Sequence, residues 1–331
     1  MNDVPEIDIG QLLVAGGDHS RLAAAIDEAC REWGFFYLVG HGVDPDLQVR
    51  LDELAREFFA RPEGEKAAIA MARAGHAWRG WFPLGGELTS GHPDEKEGMY
   101  FGAELSADHP RVMSGTPLHG ANLFPDDPAD LRPIVIAYME TMTHVGQLVL
   151  CGIALALGLE ASWFADNLTG EPLTLFRIFR YPPLSHRSTG QWSVGEHTDY
   201  GLLTILAQDG SGGLQVETPN GWTDVQPRSG ALVCNLGDML ERLTGGRYRS
   251  TPHRVRNIGG GDRLSFPFFL DPSWDAVVSK LPIVGRPVEL DAARRWDHTS
   301  VHGFEGTYGE YILTKVSRVF PELASGTLST N

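Results

Sequence analysis

The stretch "GEHTDYGLLTIL", residues 195–206, places a histidine and an aspartate, His197 and Asp199, at the front of an apolar run. Alternate residues of a β-strand point to the same side of the sheet. If the run begins a strand, the imidazole and the carboxylate therefore lie side by side. Such a pair can take two adjacent positions on a metal ion, and a third ligand has to come from elsewhere in the chain.

A second histidine and an arginine–serine pair follow on later predicted strands. His253 lies in "RYRSTPHRVRNI", and Arg263 and Ser265 lie two apart in "DRLSFPFFL". Strand alternation puts Arg263 and Ser265 on one face, where a guanidinium and a hydroxyl can together hold a carboxylate. Two histidines and one carboxylate form the ligand set of non-haem Fe(II) oxygenases, which leaves coordination positions open. The sequence therefore predicts an iron site beside a carboxylate-binding site.

The His-x-Asp spacing alone is weak evidence, because it also occurs in His92-Pro93-Asp94. A proline cannot donate a hydrogen bond to a neighbouring strand, which argues against a central strand there. We interpret this second pair as a solvated turn in a loop. The prediction therefore depends on the order of four elements along the chain, and not on the spacing of one pair. These elements are the His197–Asp199 pair, His253, Arg263 and Ser265.

The pattern of apolar residues changes along the chain. Helical periodicity is present over residues 20–34, 44–60 and 127–159, whereas residues 73–125 are rich in Gly and Pro and are predicted to be mostly loop. After about residue 170, short runs rich in Val, Leu, Ile, Phe and Thr alternate with turn residues, as in an all-β sandwich or barrel. "HGFEGTYGEYILTKVSRVF" predicts a C-terminal helix. We expect a helical N-terminal region, a β core and a closing helix.

Composition limits the partners. Lys+Arg number 27 and Asp+Glu 43, for a net charge of −16, so the chain repels nucleic acid and anionic lipid. The three cysteines are widely spaced, which disfavours a disulfide framework or a zinc ribbon and suits a reducing compartment. The N-terminus does not resemble a signal peptide, and the apolar stretch 148–159 is too short to span a bilayer. We expect a cytoplasmic enzyme with no nucleic-acid or membrane partner.

The motif series "HTDYG…NLGD…GRYRSTPHRV…RLSFPFF" resembles the 2-oxoglutarate- and Fe(II)-dependent oxygenases of the isopenicillin N synthase-like family. "VPEIDIG" and "WGFFYLVGHGV" look like the leader domain of that family, and "YGEYILTKVSRVFPEL" resembles its closing helix. The resemblance implies a mainly β fold with added helices, whose core is a double-stranded β-helix, a cupin-like jelly roll. It implies four regions: leader domain 1–125, connecting long helix 126–170, jelly-roll core 171–275, and C-terminal segment with closing helix 276–331.

The resemblance also implies the roles of the site residues. The implied iron ligands are His197, Asp199 and His253. Arg263 and Ser265 are implied to bind the distal carboxylate of 2-oxoglutarate, and Tyr181 matches the tyrosine of the N-x-Y element that helps to hold it. Phe179 stands where the family has asparagine, so this chain departs from one cosubstrate contact. Halogenating relatives have a small residue in place of Asp199, so a halogenase is disfavoured.

The implied reaction is that of a non-haem iron dioxygenase. O2 and 2-oxoglutarate oxidise a small organic molecule, with hydroxylation as the expected outcome, and succinate and CO2 are released. No separate acid or base side chain is predicted, because the iron performs the difficult step. Arg79 in "AWRGWFP" and Phe304 are candidate substrate contacts. Substrate and oligomeric state are not predicted, since fold and metal do not determine them.

Two alternative functions remain open. The first is an Fe(II) oxidase that uses no 2-oxoglutarate and binds a substrate carboxylate at the arginine–serine pair. The second is a non-catalytic metal-binding jelly-roll module. A structural zinc site is disfavoured, because such sites are closed and rich in cysteine.

Overall fold

The computed structural model describes residues 3–13, 19–89, 92–183, 192–283 and 302–320. Its helices follow the apolar periodicity of the sequence. Asp44 caps the second long helix by accepting a hydrogen bond from the amide of Asp46, with Pro45 at the first helical position. The helices are α1 (Ser20–Glu32), α2 (Pro45–Phe59), α3 (Glu63–Lys66), α4 (Pro110–Met113), α5 (Leu131–Ala156), α6 (Trp163–Asn167), α7 (Asp238–Leu243) and α8 (Tyr308–Val319).

The strands are short except for two long ones in the middle of the large sheet. In chain order they are β1 (Glu6–Asp8), β2 (Phe35–Val39), β3 (Gly80–Phe82), β4 (Leu88–Thr89), β5 (His92–Pro93), β6 (Glu97–Gly102), β7 (Pro172–Tyr181), β8 (Val194–His197), β9 (Leu203–Gln208), β10 (Leu214–Thr218), β11 (Gly221–Asp224), β12 (Leu232–Leu236), β13 (His253–Val255) and β14 (Arg263–Ser273). Three 3-10 turns span Gly10–Leu13, Ala67–Ile69 and Met71–Ala77.

Two sheets form the core. The large sheet has the order β1-β2-β12-β9-β14-β7-β6-β3, and a four-stranded sheet has the order β11-β10-β13-β8. Neighbouring strands of both sheets are antiparallel except β1 and β2. This is the double-stranded β-helix with added helices that the sequence predicts, so the predicted fold class is confirmed.

A helical layer covers the core. Helix α5 packs against α1, α2 and strands β9 and β14, and its buried side chains include Val135, Met142 and Ile153. Among the described residues, α5 is the one helix long and apolar enough to cross a membrane by length and composition, a test that the core helix of a soluble protein also passes. Helix α8 begins at Tyr308 behind a capping box formed by Thr307 and Glu310, later than the predicted start.

Most of residues 73–125 lie outside helices and strands, as predicted, but the prediction missed two strands of the large sheet. Strands β3 and β6 lie in this range, and they extend the large sheet beyond β7. A Cβ atom at Gly98 in β6 would lie 2.7 Å from the rings of both Phe82 and Phe179, so the strand needs glycine there to pack. Glycines that suggest a loop in the sequence thus allow close packing of aromatic side chains in a sheet.

Candidate metal and cosubstrate site

A cavity of about 140 Å³ lies between the two sheets and is closed on one side by α8. Alternate residues of the two long strands line it, because they point to the same face of the large sheet. These residues are Leu175, Arg177, Phe179 and Tyr181 of β7, and Arg263, Ser265, Pro267, Phe269 and Asp271 of β14.

The structure brings His197, Asp199 and His253 together at this cavity. His253 lies directly opposite His197 in the β13–β8 ladder, and their ring centroids are 4.2 Å apart. Asp199 follows His197 by two residues, and one candidate ligand atom from each of the three lies within 4.8 Å of the others. Side chains converge in this way when they share a cation.

The hydrogen bonds of the two histidines leave one nitrogen of each ring available. Nδ1 of His197 lies 2.8 Å from the carbonyl of Gly195, and Nδ1 of His253 lies 3.3 Å from the carbonyl of Thr251. A backbone carbonyl can only accept, so each Nδ1 donates, and the tautomer leaves each Nε2 lone pair for a metal.

Asp199 is held by two neutral donors. Its Oδ2 accepts hydrogen bonds from the hydroxyl of Thr204 at 2.5 Å and from the amide of Asn235 at 2.7 Å. Burial alone would raise the pKa of Asp199, but His253, His197 and these two donors outweigh burial and lower it. Burial and the neighbouring His253 lower the pKa of His197. An ionised carboxylate and a neutral imidazole are the forms that bind metals, so these residues fit Fe(II).

Arg263 fits a carboxylate ligand. Its side chain is 1% exposed, and its Nε donates to the carbonyl of Gly212 at 2.7 Å. Both terminal nitrogens are buried, and neither has a hydrogen-bond partner among the described residues. Buried guanidinium donors without partners are costly, and two parallel donors match a carboxylate. The site therefore fits the distal carboxylate of 2-oxoglutarate.

Two neutral hydroxyls accompany Arg263. The hydroxyl of Ser265 lies 3.5 Å from that of Tyr181, and the guanidinium carbon lies 4.8 Å from the centre of the Tyr181 ring. Phe179, at the position of the family asparagine, instead lies under the ammonium of Lys96, 4.5 Å from the ring centre. The departure thus replaces a polar side chain with an aromatic face that contacts a cation.

Neither predicted substrate residue lines the cavity. Arg79 is buried elsewhere, and its guanidinium donates to the main-chain carbonyls of Ala103, Leu118 and Gly120. Phe304 packs edge-on against Tyr311 of α8. Neither residue is in the lining of the described cavity, so the prediction that Arg79 and Phe304 contact substrate gains no support from the described residues.

Sequence reasoning missed a cluster of charges in the same cavity, which Glu87, Lys96 and Arg177 line. Lys96 forms ion pairs with Glu87 at 2.9 Å and with Asp94 at 2.5 Å, and Arg177 lies 3.5 Å from Glu87. Asp94 is 4% exposed, so its interpretation as part of a solvated turn is wrong. One signal could have identified Arg177: it lies four residues before Tyr181 on the same predicted strand, and therefore on the same face.

Comparison with known families and proteins gives one consistent result. Residues 4–127 match the family described as non-haem dioxygenase in morphine synthesis N-terminal, and residues 172–272 match the 2OG-Fe(II) oxygenase superfamily. A probable iron/ascorbate oxidoreductase of Dictyostelium discoideum is 44% identical over 330 residues, which cover 93% of this chain and 91% of that protein.

Two further relatives show the range of similarity. A 1-aminocyclopropane-1-carboxylate oxidase of Dictyostelium mucoroides is 34% identical, with 96% of this chain and 95% of that protein covered. Among solved structures, a full-length Neurospora crassa protein in complex with alpha-KG and 5-formyluracil has a TM-score of 0.77 and 26% identity. That match covers 95% of this chain and 96% of the Neurospora crassa chain.

Proposed function

This chain belongs to the 2-oxoglutarate- and Fe(II)-dependent oxygenases of the isopenicillin N synthase-like family, and we propose how its own residues divide the work. His197, Asp199 and His253 bind the iron. Arg263, Ser265 and Tyr181 bind the distal carboxylate of 2-oxoglutarate. The observation that carries the proposal is the convergence of the three ligand atoms within 4.8 Å.

The enzyme oxidises a small organic molecule with O2 and converts 2-oxoglutarate to succinate and CO2. Iron supplies the activation of O2 when it is bound. The protein supplies position and charge: the carbonyls of Gly195 and Thr251 fix the imidazole tautomers, and Thr204 and Asn235 fix the carboxylate. The cavity between the sheets excludes bulk water from the reacting groups.

The names of the relatives do not select a substrate. One relative is named for 1-aminocyclopropane-1-carboxylate, which carries a carboxylate, and the Neurospora crassa protein was crystallised with 5-formyluracil, a nucleobase derivative. We propose hydroxylation as the outcome, since Asp199 supplies the carboxylate of the ligand set. The free thiols Cys30, Cys151 and Cys234 support the proposal of a reducing, cytoplasmic setting.

The test measures iron binding and succinate formation by the purified protein with and without 2-oxoglutarate. We expect the wild type to bind one Fe(II) and to form succinate slowly even without substrate. Asp199→Ala should lose both properties, because two imidazoles alone hold Fe(II) poorly. The control is Asp224→Ala, an exposed residue on the β10–β11 hairpin.

Iron binding and succinate formation that both survive Asp199→Ala would refute the ligand assignment. O2 consumption that does not depend on 2-oxoglutarate would instead favour an oxidase that uses the arginine–serine pair for its substrate.

A further inference from the structure

Arg177 lies in the cavity in a fixed orientation. Its guanidinium carbon is 4.3 Å from the centre of the Tyr100 ring and 4.7 Å from the centre of the Phe269 ring. Two aromatic faces hold a planar guanidinium in place and leave its edge, with the N–H donors, to make hydrogen bonds. The side chain lines the cavity and is 18% exposed, so part of the guanidinium can contact a bound molecule.

The charged groups around Arg177 do not fill its hydrogen-bond capacity. Lys96 contacts both Glu87 and Asp94, and Glu87 also accepts a hydrogen bond from the hydroxyl of Tyr100 at 2.5 Å. The one described hydrogen bond of Arg177 goes to Glu87 at 3.5 Å, and its buried Nε has no hydrogen-bond partner among the described residues. Donor capacity thus remains on Arg177, the cation with the weakest ion pair of the cluster.

Arg177 is too far from Arg263 to share its ligand. Tyr181, which lies opposite Arg263 in the β7–β14 ladder, is four residues from Arg177 along β7. Four residues of extended chain correspond to about 13 Å. The wall near Arg177 is apolar, with Leu175 of β7, Ile312 and Val316 of α8, and Phe320. The cavity therefore has two arginines whose backbone positions lie about 13 Å apart, and the region around Arg177 combines a cation with apolar surface.

We propose that Arg177 binds the carboxylate of the substrate, and that this oxygenase acts on small carboxylic acids with an apolar portion. The assignment rests on the proposed function, because Arg263 must hold 2-oxoglutarate for Arg177 to remain for the substrate. A C–H bond of the acid becomes C–OH with one atom of O2. The other oxygen atom enters succinate as 2-oxoglutarate loses CO2, so atoms and electrons balance.

Glu87 and Lys96 position Arg177 without binding the substrate. Glu87 accepts hydrogen bonds from Tyr100 and Arg177 and forms an ion pair with Lys96, and Lys96 has two carboxylate partners and an aromatic face. Burial alone would raise the pKa of Glu87, but Lys96 and Arg177 outweigh it and lower that pKa, so Glu87 stays ionised beside Arg177. An ionised Glu87 keeps the guanidinium in place while the substrate is absent.

The experiment compares acids with their methyl esters on the iron-loaded enzyme with 2-oxoglutarate. The probes are the proteinogenic L-amino acids and aliphatic and aromatic monocarboxylates, each with its ester, and the readout is succinate formed above the substrate-free rate. We expect one or more free acids to stimulate succinate formation. The ester of each active acid should have a roughly 100-fold lower kcat/KM, as expected for loss of a buried charge pair.

Variants test the residue itself. Arg177→Met should lower kcat/KM for the active acid roughly 100-fold and abolish the difference between acid and ester. The KM for 2-oxoglutarate should not change. Arg177→Lys keeps the charge but loses the paired donors, so it should fall between Arg177→Met and the wild type. The matched control is Arg180→Met, which removes an arginine of the same strand that pairs with Glu97 and Asp262 outside the cavity.

The outcomes separate this inference from the function on which it rests. If no free acid stimulates the wild type more than its ester, or if Arg177→Met retains the preference for acid, the assignment of Arg177 is overturned. The comparison of acid with ester on the wild type needs no variant, so a variant that fails to fold leaves a decisive result. If the wild type binds no iron and forms no succinate, the proposed function fails instead.

Discussion

The two arginines of the cavity lie on paired strands but in different surroundings. Among the described residues, Arg263 has no carboxylate in hydrogen-bond reach, and it contacts a main-chain carbonyl and the ring of Tyr181. Arg177 lies between two aromatic rings beside Glu87, and Lys96 and Asp94 complete a cluster whose formal charges cancel. One end of the cavity has an uncompensated cation, and the other has balanced charges.

This difference agrees with what each end is proposed to bind. A buried cation without a partner is costly, and the cost is recovered when an anion binds. 2-Oxoglutarate takes part in every turnover, so the uncompensated end is filled throughout the reaction. The end near Arg177 is empty between substrates, and there Glu87 reduces the cost of burying Arg177. We therefore expect variants at the two ends to affect different kinetic parameters.

The largest effect that distinguishes the two ends is expected from Arg263→Met. Loss of one partner from a buried charge pair costs about 2–5 kcal/mol, so the KM for 2-oxoglutarate should rise roughly 100-fold. The measurement is succinate formation against 2-oxoglutarate concentration. Arg177→Met serves as the matched control, because it should leave that KM unchanged. An equal rise of this KM in both variants would show that Arg263 and Arg177 do not bind separate ligands. An unchanged KM in Arg263→Met would refute the proposal that Arg263 binds 2-oxoglutarate.

The sequence predicts which residues meet around the metal ligands and Arg263, the part of the cavity proposed to bind 2-oxoglutarate. It does so because these residues form pairs that are close together in the sequence. His197 and Asp199 are two apart, as are Arg263 and Ser265, and strand alternation alone puts each pair on one face. The resemblance to the family adds His253 and Tyr181. The structure places all six at one cavity. A pattern of two residues within one strand is visible in the sequence before any tertiary contact is known.

The sequence does not predict the surroundings of Arg177, the part of the cavity proposed to bind substrate, because segments far apart in the chain form them. Glu87, Asp94 and Lys96 come from a Gly- and Pro-rich region, and of these Glu87 forms an ion pair with Arg177 of β7. Spacing in the sequence carries no trace of such contacts. Arg79 shows that residue type alone is a poor guide, although an arginine in an aromatic loop suggests substrate binding. Its guanidinium donates to three main-chain carbonyls of residues distant in the chain.

Asp271 tests whether the charges around Arg177 are fully balanced. It lines the cavity two residues beyond Phe269, and its described hydrogen-bond partners are neutral: the hydroxyl of Tyr308 at 2.6 Å and the amide of Leu202 at 3.3 Å. The charges of Asp199 and Arg177 also act on its pKa, in opposite directions. Burial is the main reason why the pKa of Asp271 is raised to about 7. Between about pH 4 and 7 the folded protein therefore binds more protons than the unfolded chain, so this carboxyl makes stability fall as pH rises.

The measurement is the free energy of unfolding of the metal-free protein at about pH 5.5 and about pH 7.5. Over this interval the wild type should lose about 2 kcal/mol more than Asp271→Asn, from the raised pKa and the usual value of an aspartate. Asp275→Asn, at a side chain that is 74% exposed, is the control and should follow the wild type. If the free energy of unfolding changes equally with pH in the wild type and in Asp271→Asn, the carboxylate of Asp271 pairs with a cation in solution. All charges around Arg177 would then be balanced.

The smallest effect is expected at the metal ligands. Thr204 and Asn235 both donate to Oδ2 of Asp199, so Thr204→Val or Asn235→Ala should weaken Fe(II) binding about 10-fold by loosening that carboxylate. Titration of Fe(II) into the apo protein measures this, with Thr223→Val on β11 as the control. Because both donors share one acceptor, the double variant should lose less than the two single variants combined.

The KM for 2-oxoglutarate, measured at saturating iron, should change little in these variants, since Arg263 is untouched. A large rise in that KM would mean that the position of Asp199 also determines how the cosubstrate binds. The metal ligands and Arg263 would then bind their ligands as one unit. Arg177 would be the only one of these groups that acts on the substrate alone.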